Sequence, residues 1–207
     1  MDQKNQNTPR RSSIDKTRRM TGLAVFSAII VVIQIICTFV KFGPFSITLA
    51  LAPIIIGSAL YGVSAGAYLG GVLGVVVLVT GLLGWDGGTV MYLMSQNAIG
   101  TVLICIVKTV AAGWLAGVVY KALAPKNGLA AVILAGIVCP VVNTGLFIAG
   151  MFAFFFSTLQ GWANGTAMMY FIIVSLTGVN FLIELLTNMV LASGITRVIQ
   201  AGSRRWI

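Results

Sequence analysis

Apolar residues make up 58% of the 207-residue chain and charged residues only 8%. A soluble domain carries about 25% charged residues, so a soluble globular protein of this size is excluded. Strand-length alternation of apolar and polar residues is missing, which excludes an outer-membrane barrel. The net charge of +9 invites nucleic acid as a partner, but its distribution argues against one. Lys4, Arg10, Arg11, Lys16, Arg18 and Arg19 precede the first apolar run, and Arg197, Arg204 and Arg205 follow the last. Basic residues flanking apolar spans set membrane topology.

Residues 1–19 are polar and basic and read as a disordered cytosolic segment. Six spans follow, several of them long enough to cross a hydrocarbon core, which requires about 20 residues of helix. The first covers about residues 21–40. It continues without a small-residue cleavage pattern, so it reads as a span and not as a cleaved signal. The turn Lys41-Phe42-Gly43-Pro44 leads to a short second span, about 46–60, in which Pro53 predicts a kink. Tyr61-Gly62 connects to a third, about 63–83. After the loop 84–88 comes a fourth, about 97–120, and after a loop with Pro125 a fifth, about 128–156, with Pro140 inside. A polar loop, 157–166, precedes the sixth, about 169–198. The fold class is therefore all-α, a polytopic six-helix membrane domain over residues 20–200 with a basic tail at 201–207. Both termini fall in the cytosol, because that orientation puts eleven of the thirteen cations inside and only Lys41 outside, Lys108 being within a span.

Cys37, Cys105 and Cys139 all lie in apolar runs and are too scattered for a metal motif or a disulfide framework. Histidine is absent, which removes the commonest acid–base catalyst and metal ligand. No phosphate-binding loop of the G-x-x-x-x-G-K-[ST] type and no G-x-S-x-G are present. The chain does not hydrolyse ATP itself, is not an enzyme, and calls for no metal or cofactor.

Small residues recur at helical spacing: Ala24 and Ala28, then Gly62, Gly66, Gly70 and Gly74, then Gly113 and Gly117. Such faces let backbones approach closely, either within the bundle or against a second membrane subunit. Polar groups recur too. Asn180, Glu184 and Asn188 form one stripe on the sixth span, and Asn97, Thr101 and Lys108 lie along the fourth. Gln34 and Asn143 add single groups. Ionisable residues in a membrane face a cavity or a partner. Lys108 and Glu184 fall near mid-membrane, placed either to pair with each other or to line a ligand cavity. Trp85 and Trp162, in outer loops, belong to an interfacial belt or cap a bound ring.

In order along the chain, these features resemble the substrate-binding S components of energy-coupling factor (ECF) transporters. The resemblance rests on Leu23-Ala24-Val25-Phe26-Ser27-Ala28, similar to the family's A-x-x-x-A contact, on Phe45-Ser46-Ile47-Thr48-Leu49, and on Pro53 in a short second helix. It rests further on Tyr61-Gly62-Val63-Ser64-Ala65-Gly66, on the cation in helix four and on the polar stripe of helix six. It implies a substrate-capture subunit of an ATP-driven importer in the plasma membrane of a prokaryote. Its partners would be a transmembrane coupling subunit and two cytosolic ATPases. Ala24, Ala28, Gly66 and Gly70 would meet the coupling subunit. Asn97, Lys108, Asn143, Asn180, Glu184, Trp85 and Trp162 would hold the substrate. The metal-importing members use an N-terminal histidine, which this chain lacks, so a vitamin or similar small organic nutrient is expected: pantothenate, folate, riboflavin or another heterocycle. The competing expectation is a self-sufficient secondary transporter or channel using Glu184 and Lys108.

Overall fold

A computed structural model describes residues 8–39, 41–42, 45–46, 48–163, 165, 167, 170–171 and 178–204. Helices dominate: α1 (Thr8–Thr38), α2 (Leu51–Tyr61), α3 (Val63–Leu82), α4 (Thr89–Gln96), α5 (Ala98–Leu123), α6 (Gly128–Phe154), α7 (Phe156–Ala163) and α8 (Val179–Arg204). Between α1 and α2 the strands β1 (Lys41–Phe42) and β2 (Phe45–Ser46) pair antiparallel, Lys41 opposite Ser46 and Phe42 opposite Phe45. Among the described residues, four helical segments are long and apolar enough to cross a membrane: Lys16–Thr38, Val63–Leu82, Ala98–Leu123 and Gly128–Phe154. Leu51–Tyr61 and Phe181–Val190 are shorter apolar helical segments.

The boundaries differ from the sequence expectation in places with clear causes. α1 begins at Thr8, within the stretch whose composition reads as disordered, with Pro9 in its first turn, where a missing N–H goes unneeded. Pro53 does not kink a helix. It sits in the first turn of α2, where the lost N–H has no intrahelical acceptor, and the chain before it is not helical. The polar loop expected at 157–166 is helical as far as Ala163, because Thr158, Leu159 and Ala163 turn a buried face inward. Residues 89–96 form a helix of their own. Buried Asp86 starts it, Oδ1 accepting from the Gly88 N–H at 2.9 Å and Oδ2 from the Val90 N–H at 2.8 Å.

α2 is the structural centre. It packs against α1, α3, α5, α6 and α8, and seven of its eleven residues are buried. Its length is about 16 Å at 1.5 Å per residue, roughly half of a 30 Å hydrocarbon core. Its C-terminal end meets the basic end of α1, where Phe26 lies edge-on to Tyr61 with ring centroids 6.1 Å apart, and Arg19 donates to the Ser64 hydroxyl at 2.9 Å. Gly62, with φ +92°, makes the tight turn into α3 that a side chain would strain. The other end of α2, with Thr48 just before it, therefore stops inside the bundle. Non-helical backbone at that depth is tolerated only where protein buries it or a cavity receives it.

α3 and α5 are joined by a seam of small residues. A Cβ on Gly66 would strike the Gly113 carbonyl, one on Gly113 the Gly66 carbonyl, and one on Gly70 the Thr109 carbonyl. The two backbones touch, which is the packing that small residues provide where lipid supplies no hydrophobic drive. Gly66 and Gly70 thus meet α5 of the same chain. Their spacing encodes close approach without saying whose backbone approaches, and here α5 is the backbone they meet. Ala24 and Ala28, in contrast, lie exposed on α1 beside Met20, Val25, Ile29 and Val32.

Candidate functional site

Glu184 is the focus of the buried polar groups. It is 5% exposed on α8, and Thr48 presents both its backbone N–H and its hydroxyl to the carboxylate. Cys37 of α1 and Cys139 of α6 lie within electrostatic reach of the same carboxylate. Four parts of the chain therefore converge here: the inward face of α1, the segment ahead of α2, α6 and α8. Glu184 Oε2, Asn143 Oδ1 and Gln34 Oε1 are all buried and have no hydrogen-bond partner among the described residues. Gln34 lies three residues before Cys37, on the same face of α1. Asn143 lies four residues after Cys139, on the same face of α6. Each unpartnered buried acceptor costs about 1–3 kcal/mol, so the three demand an explanation. Acceptors of this kind can take hydrogen bonds from a donor-rich ligand.

Lys108 supplies the positive charge. It is half-buried on α5, and its ammonium lies over the Phe147 ring of α6, 4.8 Å from the centroid. Its charge acts on Glu184 from nearby, while Glu184 Oε2 stays without a partner. An aromatic face attracts a cation without consuming its N–H donors, so Lys108 can still bind an anion.

Asn188, one turn beyond Glu184, has a structural task. Pro140 lacks the N–H that would close the helical bond to the Gly136 carbonyl. Asn188 Nδ2 donates to that carbonyl at 3.3 Å, from a side chain 3% exposed. Replacing Asn188 with Leu leaves the carbonyl orphaned, and we expect thermal unfolding in detergent to show a loss of about 1–3 kcal/mol. Adding Pro140→Ala restores the backbone donor and should return most of that loss. An unchanged midpoint in the single variant would contradict this role.

The remaining expected site residues fall into three groups. Asn97 caps α5, its Oδ1 accepting from the Gly100 N–H at 2.9 Å, so local helix chemistry already occupies that oxygen. Trp85, 41% exposed, stacks on Phe39 with centroids 5.8 Å apart, and Trp162 tilts against Tyr92 at 6.1 Å. Both indoles pack against rings of the chain itself. Asn180 lies one turn before Glu184 on α8, with its side chain outside the described residues. Thr48 is the site residue that sequence reasoning missed. A lone threonine ahead of a short helix carries no periodic signal, and only its neighbours in space give it a role. Gln34 was legible as a polar group in an apolar span, the same signal that marks Asn143.

Residues 18–196 match the family described as ECF transporter, substrate-specific component. The chain is also similar to the pantothenic acid transporter PanT of Lactococcus lactis subsp. cremoris (strain MG1363). The two are 31% identical over 183 residues, covering 84% of this chain and 89% of the relative. Both comparisons point to a transporter and away from an enzyme, in keeping with the apolar helices. On the extent of these matches, the chain belongs to the substrate-specific components of ECF transporters.

Proposed function

We propose that this chain captures pantothenate with high affinity for an ATP-driven importer in a prokaryotic plasma membrane. Its partners there are a transmembrane coupling subunit and two cytosolic ATPases. The observation that carries the substrate is the pairing of one half-buried cation, Lys108, with buried unpartnered acceptors at Asn143 and Glu184. Pantothenate is an acyclic anion with a carboxylate at one end, two hydroxyls at the other and an amide between. The carboxylate suits Lys108. A hydroxyl and a second donor suit Glu184 and Asn143. Asn180 continues the same helix face, and Asn97, Trp85 and Trp162 shape the outer rim. A ligand without a ring agrees with indoles that are already stacked, and the similarity to a pantothenic acid transporter supports the same choice.

In this reading the chain crosses the membrane six times, with the short helix α2 and the preceding segment completing one span and α8 contributing another. A reporter fused after Ile207 should then be active only in its cytosolic form, and an extracellular signal would contradict the six-span count. The function is tested in liposomes. The chain alone should move no pantothenate. With the coupling subunit and ATPases it should accumulate pantothenate only when ATP is present. Gradient-driven uptake by the chain alone would establish a secondary transporter instead.

A further inference from the structure

We infer that Gln34, on α1, is a substrate-contacting residue that takes the third hydrogen-bond donor of the ligand. The inference rests on the pantothenate reading above. Pantothenate carries three donors, two hydroxyls and one amide N–H, while Glu184 and Asn143 offer acceptors for two. Gln34 is the third buried acceptor without a partner among the described residues, and it is 2% exposed.

Its placement supports the role. Gln34 shares a helix face with Cys37, which lies within reach of the Glu184 charge and close to the Leu49 backbone. That face of α1 therefore looks at the junction where Thr48 meets Glu184. The neighbouring inward residue Ile30 is sealed in the core with Ile54, Ile55 and Leu73. A glutamine in such a setting is replaceable by an apolar side chain of similar size without loss of packing. Retaining an orphaned carbonyl there makes sense when a ligand completes it. Another face of the same helix exposes Ala24 and Ala28. One helix then touches the substrate on one face and presents the small-residue surface on another.

The test is a cycle of binding measurements by titration calorimetry on the purified full chain. The ligands are pantothenate and three analogues, two each lacking one hydroxyl and one N-methylated at the amide. The parent should lose about tenfold in affinity for each analogue, the value of one hydrogen bond. Gln34→Leu should lose about tenfold for pantothenate, and for one of the three analogues it should show no further loss. Its unfolding midpoint without ligand should match or exceed that of the parent. Parent-like binding of pantothenate by Gln34→Leu, or losses that multiply for all three analogues, would overturn the inference. If Gln34→Leu does not fold, Gln34→Met takes its place, and failure of both to fold assigns Gln34 to the scaffold and overturns it. Failure of the parent itself to bind pantothenate would be seen first, and would remove the functional reading before any variant is compared.

Discussion

Tryptophan at Ala28 is expected to abolish transport while leaving substrate binding by the isolated chain intact, whereas tryptophan at Gly70 is expected to destroy the fold. Both positions belong to small-residue patterns at helical spacing, and their surroundings separate them. Ala28 is exposed on α1, so an indole there meets lipid in the isolated chain and costs little. Docked against another backbone, it would prevent the approach that small residues allow. At Gly70 even a Cβ runs into the Thr109 carbonyl of α5. Backbone cannot yield as a flexible side chain can, so overpacking should exceed about 3 kcal/mol. Co-purification with the coupling subunit, ligand binding and thermal unfolding read the three effects separately. Loss of binding in Ala28→Trp would mean that α1 packs inside the bundle on that face.

Lys108→Met is expected to weaken pantothenate binding by about 2–5 kcal/mol, the range for truncating one side of a buried charge contact, without unfolding the protein. The half-buried ammonium rests on Phe147, so its removal forfeits a cation–aromatic contact of about 0.5–2 kcal/mol and an attraction to Glu184 that involves no direct contact with Oε2. Glu184→Gln keeps the shape and removes a charge, and should cost binding about 1.5–3 kcal/mol, as for a hydrogen bond to a charged group. Stability separates the ligand role from a purely structural ion pair. A structural pair would make each single change strongly destabilising and the double change benign for both folding and binding. The ligand role makes the double variant fold but bind poorly. A double variant that folds and binds like the parent would reduce both residues to scaffold.

Much of the helical layout was legible in the sequence, because lipid imposes a length and composition that few other environments require. α3, α5 and α6 lie within a few residues of where their apolar runs put them. Helix ends made by side chains were harder to see. Asp86 opening α4 and the buried face of α7 depend on a few polar or small residues among aromatics. Small-residue spacing announced close contact but left the partner open, and Gly66 and Gly70 found theirs within the chain. In the candidate site, polar residues in apolar helices marked Asn143, Glu184 and Lys108. The same signal also marked Asn188, which repairs the helix that Pro140 interrupts, and Asn97, which caps α5. Composition registers that a polar group is buried, while only geometry tells which acceptors are already satisfied.

In the proposed function this chain, alone, binds an acyclic carboxylate rich in hydrogen-bond donors. Titration of pantothenate into the purified protein in detergent tests it most directly, with riboflavin and folate as controls. Saturable, single-site binding of pantothenate is expected, strongly reduced in Lys108→Met, with no binding of the two ring-containing vitamins. Binding of riboflavin or folate with no response to pantothenate would contradict it.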